Sequence, residues 1–143
     1  MGQKVPRAPK RGRQSVDADA ASVPLGGTNK ERPSFRFAWA DPNKHCLHEW
    51  GGPEIEQFMK SLAKIERLTW QQIISSGGQG HSSGGTGYKS IPGYELPDLP
   101  RQVPPDVEVH EMRVDKTKRI LGYRDGAVFN LIWFDRTHTA VST

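Results

Sequence analysis

Cysteine is nearly missing from this chain: Cys46 is the only one among 143 residues. No intramolecular disulfide can form, so folding must rest on burial alone. Long apolar runs are missing too. No stretch approaches the roughly 18 residues that a membrane-spanning helix requires, and nothing has the apolar core of a secretory signal. Met1-Gly2 opens the chain, but Pro6 stands where a myristoylation signal needs Ser or Thr. A cytoplasmic protein without a membrane partner is therefore expected. Hydrophobic residues amount to only 34%, against the about 45–50% apolar content, glycine included, of ordinary globular chains. With 15 glycines and 11 prolines, much of the length should be loop around one domain with a small core.

Charge is present in both signs but unevenly placed. Residues 1–33 carry seven basic side chains against three acidic ones, and the rest of the chain balances, so the whole net charge of +4 sits on this segment. It has no apolar period and cannot offset its ordering entropy by burial. It reads as a disordered, solvated leader, with nucleic-acid contact as the alternative.

From Ser34 the pattern changes. Phe35-Arg36-Phe37-Ala38-Trp39 alternates as a half-buried strand does. Pro53 suits a first helical position, and Ile55, Phe58, Met59, Leu62, Ile65 and Leu68 then recur at three- and four-residue spacing. Thr69-Trp70-Gln71-Gln72 is a capping box for a second, short helix. After a flexible Gly-rich loop at 76–90 and an extended Pro-rich connection, strands are expected over 106–114, 118–124 and 127–135. The order β-α-α-β-β-β predicts an α+β fold, two helices on one face of a small, mainly antiparallel sheet.

Several chemistries are excluded by spacing. Gly77 to Gly87 is rich in glycine, but Tyr88 separates it from Lys89-Ser90 and Pro92 forbids the helix that a P-loop needs. His45, Cys46 and His48 do not have the usual metal-ligand spacing, so no metal site is expected. No Gly-x-Ser-x-Gly elbow is present.

Asp125-Gly126 is a strong two-residue hairpin signal. Centred there, the hairpin would set Arg124 opposite Ala127, Tyr123 opposite Val128, Leu121 opposite Asn130 and Arg119 opposite Ile132. If Asp115-Lys116-Thr117 forms the preceding turn, Arg113 lies opposite Arg119, on a face shared with Tyr123 and Asn130. Met112, Ile120, Leu131 and Trp133 would then face the helices. Opposed like charges cost a sheet pair up to about 1 kcal/mol, unless they are solvated or serve an anion such as phosphate, whose oxygens the arginine fork matches. A histidine three residues beyond Asp135, His138, could carry a proton near neutral pH.

The stretch Arg113–His138 resembles the C-terminal half of RelE/ParE-superfamily toxins, and is most similar to the HigB branch. The features that carry the likeness are an arginine-initiated strand, a Gly-containing hairpin and an aromatic strand closing in Asp135-Arg136-Thr137-His138. Thr137 replaces a tyrosine common there, and the Asp-to-His spacing is one residue longer than in the Asp-Tyr-His form. The resemblance implies a RelE-like domain over 34–143 and the toxin component of a type II toxin–antitoxin system, a metal-independent endoribonuclease. It implies that Arg119 binds the scissile phosphate, that Asp135 and His138 form the terminal acid–histidine set, and that Arg113 is a flanking basic group. Arg124, Lys118, Lys116 and Arg136 complete the expected RNA-binding set. The implied partners are a cognate antitoxin and messenger RNA, free or on the ribosome, with no cofactor. The alternative is a non-catalytic protein of the same fold that inhibits a protein target or binds RNA.

Overall fold

The computed structural model describes residues 29–77 and 85–142. Most of the leader expected over 1–33, and residues 78–84 of the Gly-rich loop, lie outside the described residues. Residues 29–33 pack onto the domain: Asn29 Oδ1 accepts from Arg124 Nη2 at 2.7 Å, and the Glu31 carbonyl accepts from Trp70 N at 2.9 Å. The elements are β1 (Ser34–Arg36), α1 (Gly52–Ile65), α2 (Trp70–Gly77), β2 (Lys89–Ser90), β3 (Val109–Arg113), β4 (Arg119–Asp125) and β5 (Val128–Asp135). The fold is α+β, with one five-stranded mixed sheet in the order β1-β5-β4-β3-β2. Only β1 is parallel to its neighbour; the other pairings are antiparallel. The short β2 lies inside the segment expected to be a flexible loop, paired with β3 through Lys89–Glu111 and Ser90–His110.

Both helices form where the local sequence places them. Pro53 occupies the first turn of α1, and Glu54 reaches back to accept from Gly51 N at 2.7 Å. Phe58, Leu62 and Ile65 are buried, whereas Met59, expected in the same stripe, is 64% exposed and Leu68 falls beyond the helix end. The capping box of α2 forms reciprocally: Thr69 N donates to Gln72 Oε1 at 2.9 Å and Gln72 N to Thr69 Oγ1 at 3.2 Å. The helices cover one sheet face through Phe58, Leu62, Ile65, Trp70, Ile73, Met112, Ile120, Phe129, Leu131 and Phe134.

The opposite face is closed by chain without regular structure. Ile91, Val103 and Ala140 bury Val109, Leu121, Ile132 and Trp133, flanked by Trp39, Leu96 and Leu99. Trp133 thus lies on the face away from the helices, which corrects the expected register. Two features change the register, and the second of them turns Trp133 to this face. Gly126 takes a positive φ of 64° at the first loop position, so Asp125 stays in β4 opposite Val128 and the turn is Gly126-Ala127. A bulge then shifts the ladder between Leu121 and Gly122: Gly122 pairs with Leu131, but Leu121 pairs with Trp133 and leaves Ile132 extra. Any Cβ at residue 122 would sit 2.0 Å from the Asn130 carbonyl oxygen, so only glycine permits this approach of the strands. Beyond the bulge, parity is reversed and Arg119 pairs with Asp135 instead of Ile132.

Candidate nucleic-acid interface

Arg113, Arg119 and Asp135 lie side by side across β3, β4 and β5, at the sheet end bearing the β3–β4 turn. The expected Arg113–Arg119 pairing is present. Asp135 joins them only because the bulge turns it to their face; an unbroken ladder would send it toward the helices.

Arg119 is almost fully buried, at 9% exposure, and its guanidinium is firmly held. Nη1 donates to the carbonyls of Asp115 (2.7 Å) and Lys118 (3.0 Å), and Nε lies 3.6 Å from Oε2 of the buried Glu111. Among the described residues no hydrogen bond uses Nη2. Burial lowers the pKa of Arg119, Glu111 opposes that shift, and the neighbouring Arg113 charge adds to it; a guanidinium nevertheless remains charged.

Arg113 is half-buried and lines two adjoining cavities. One, of about 420 Å³, is bordered by Gln57, Arg113, Val114, Asp115, Lys116 and Arg119. The other, of about 270 Å³, lies between α1 and the end of β3 and includes Ser61, Lys64 and Thr86. Two bonds fix this region: Arg113 N donates to the Thr86 carbonyl at 2.7 Å, and Ser61 Oγ to the Val114 carbonyl at 2.8 Å. Gln57 and Ser61 escaped the sequence reading, and Lys64 counted there only as part of the polar helix face, although their spacing of four and three residues puts all three on one stripe of α1.

The turn itself is built on Asp115, whose Oδ1 accepts from Thr117 N (2.9 Å) and Lys118 N (2.8 Å). Burial resists ionisation of this carboxyl, but the Lys118 and Thr117 N–H groups and the Lys118 ammonium outweigh it and hold the pKa below its ordinary value. Lys116 is exposed at the turn's tip. Lys118 is committed elsewhere, with Nζ 3.2 Å from Asp115 Oδ2 and 3.5 Å from Glu54 Oε2. Arg136 is committed to the same carboxylate: its Nε lies 2.9 Å and 3.0 Å from the two Glu54 oxygens. These bonds hold the Glu54 pKa low, Arg136 contributing most.

Arg124 does not join the other arginines. It pairs opposite Phe129 on the helix-covered face, stacks over Trp70 with Cζ 4.3 Å from the ring centroid, and donates to Gly126 O and Asn29 Oδ1. The expected Asp135–His138 pair is also not formed. Fully buried, Asp135 accepts from Thr139 N at 3.0 Å and Ala140 N at 2.9 Å, and so holds the turn after β5. His138 is exposed on that turn, with a left-handed φ of 61°. Among the described residues it makes no hydrogen bond to Asp135 or to either arginine.

At the other end of the sheet, a cavity of about 540 Å³ is lined by Ile74, Tyr88, Val107, Glu108, His110, Tyr123, Arg124 and Asp125. The Tyr88 and His110 rings stack there, 4.4 Å apart and nearly parallel. Burial pushes the Tyr88 hydroxyl up to about 12 and the His110 imidazole down from its ordinary value.

No family model, curated protein or solved structure matches this chain.

Proposed function

We propose that this chain is the toxin of a type II toxin–antitoxin pair, an endoribonuclease acting on messenger RNA without a metal, with its phosphate-gripping site in the cleft of Arg113, Lys116 and Arg119. The observation that carries this reading is the alignment of Arg113 and Arg119 on neighbouring strands beside a cleft of about 420 Å³. Two guanidinium groups and an ammonium around one concavity suit an RNA backbone better than any neutral ligand. Arg119 is oriented in advance by its two carbonyl partners, so no reorganisation is needed as charge builds on the phosphate.

In this mechanism the ribose 2′-oxygen loses its proton and bonds to the adjacent phosphorus while the bond to the 5′-oxygen breaks. Arg113 and Arg119 stabilise the extra negative charge. His138, exposed just beyond β5, transfers one of the two protons, and solvent handles the other. An acidic antitoxin that covers the basic cleft fits by charge, and a ribosome-bound message is a second form of the substrate.

Incubating full-length protein with messenger RNA, with and without ribosomes, and mapping the cut sites tests this. Arg113→Ala and His138→Ala should each lower cleavage about 10²-fold or more. Equal cutting by wild type and both variants would remove the site. The non-catalytic alternative is favoured by one observation, the full engagement of Asp135 with main-chain N–H groups instead of His138. Its signature is RNA binding that Arg113→Ala weakens, with no cleavage by any form.

A further inference from the structure

The connection from β1 to α1 contains a short 3-10 turn, Leu47–Glu49, preceded by Cys46. The turn is closed by Glu49 N donating to the Cys46 carbonyl at 3.1 Å. In such a turn, residues three apart eclipse one another, so Cys46 and Glu49 stand on one side, with His48 beside them. One sulfur, one imidazole nitrogen and one carboxylate oxygen converge here, all within 4.8 Å of one another.

We propose that Cys46 Sγ, a ring nitrogen of His48 and a carboxylate oxygen of Glu49 bind a divalent cation of the zinc class, leaving a fourth position for water. Thiolate, imidazole and carboxylate are each zinc ligands, and open zinc sites use three protein ligands with water in the fourth position. Zinc would hold these atoms roughly 3.5 Å apart, so the side chains must close by little more than about 1 Å. His48 and Glu49 are exposed and can do so.

The backbone that carries the donors is already fixed. Phe134 N donates to the His45 carbonyl at 2.7 Å, and Trp50 Nε1 to the Phe134 carbonyl at 3.3 Å, so β5 pins the turn on both sides. Asp41 secures the approach, its Oδ1 accepting from Asn43 N and its Oδ2 from Trp133 Nε1. Cys46 is buried and its thiol donates to the Asp41 carbonyl at 3.3 Å. On metal binding the thiol proton leaves to solvent, that weak hydrogen bond is lost and a sulfur–metal bond replaces it. The spacing rule was applied to His45, Cys46 and His48 and left Glu49 out of account. His45 is turned to Asp135, with Nδ1 4.0 Å from Oδ1, and Glu49 takes its place.

Because Cys46 is the only cysteine, a thiolate-to-cobalt charge-transfer band reports on this site and no other. Metal-stripped, full-length protein is titrated with Co²⁺ and then with Zn²⁺ as competitor. The expected result is a band saturating at one equivalent and abolished by Zn²⁺ and by Cys46→Ser. His48→Ala and Glu49→Gln, both at exposed positions that leave the fold intact, should weaken Co²⁺ binding by at least about 10-fold, the loss that even outer substitutions around a metal cause. His45→Ala should leave it unchanged. No band in the wild type, or a band equally strong in His48→Ala and Glu49→Gln, would overturn the site. None of these readouts depends on RNA cleavage.

Discussion

The two faces of the sheet are covered by different kinds of chain, and the difference governs where charge can be buried. On one face, α1 and α2 lay aliphatic and aromatic side chains over Met112, Ile120, Phe129 and Leu131. On the other, irregular segments around Ile91, Val103 and Ala140 close over Leu121, Ile132 and Trp133. A helix spends its main-chain N–H and C=O groups on itself, except at its ends. Irregular chain has such groups to spare, and they must find partners. The buried ionic groups Arg119 and Asp135 accordingly lie on the irregular side, bonded to the Asp115 and Lys118 carbonyls and to the Thr139 and Ala140 N–H groups. The charged site starts on the face that lacks helices, and its cleft reaches round to Gln57 of α1.

The strongest check compares one tryptophan from each face. Trp70 and Trp133 are both fully buried, and each indole donates one hydrogen bond, to the Ala127 carbonyl and to Asp41 Oδ2 respectively. Trp70→Ala and Trp133→Ala should each cost about 3–5 kcal/mol in urea unfolding. A loss below about 1 kcal/mol for Trp133→Ala alone would mean that the irregular cover is not a core.

A smaller effect is expected from Arg119. Removing it strands Glu111, which is buried with Lys89 as its other cation at 4.0 Å. Arg119→Ala should therefore destabilise the fold by about 3 kcal/mol, and its cleavage loss can be interpreted only beside the exposed-site variant His138→Ala. Unchanged stability would show that the pair with Glu111 contributes nothing.

The smallest effect is a pH dependence that separates the two faces. Burial depresses the pKa of His110 on the helix side, so the unfolded chain takes up a proton more readily than the native one. His110's contribution is complete above its ordinary pKa of about 6.5 and is lost as pH falls through that value toward the folded pKa. Asp115, in the β3–β4 turn, has a depressed carboxyl pKa. Its contribution is present above the ordinary carboxylate range and disappears only as pH falls through the folded pKa. Unfolding measured between pH 8 and 5 should show a slope that His110→Phe removes and Asp115→Asn does not; the reverse assignment would break the comparison.

Helix positions were legible because their signals are local. The apolar spacing of Phe58, Leu62 and Ile65, and the Thr69–Gln72 box, involve neighbours within one or two turns. The hairpin was legible to within one residue, since Gly126 is the position able to take positive φ, and the Arg113–Arg119 pairing followed from the short turn between β3 and β4. Met59 was misplaced because periodicity does not say how wide the buried stripe is. The bulge at Leu121/Gly122 left no readable sign except the glycine itself, and with it went the faces of Trp133 and Asp135. Arg124 was assigned to the arginine site on its charge, but its strand parity sends it to Trp70.

Side-chain spacing along the chain thus determined that there would be two helices, a C-terminal three-stranded meander and two adjacent arginines at one turn, because each depends on contacts a few residues apart. Only the tertiary structure decided which face each β5 residue occupies, that non-helical chain covers the arginine side, and that Asp135 closes a turn instead of pairing with His138. Those outcomes depend on how closely two strands approach at Gly122 and on which distant N–H groups reach a buried carboxylate, and neither is encoded in any local pattern.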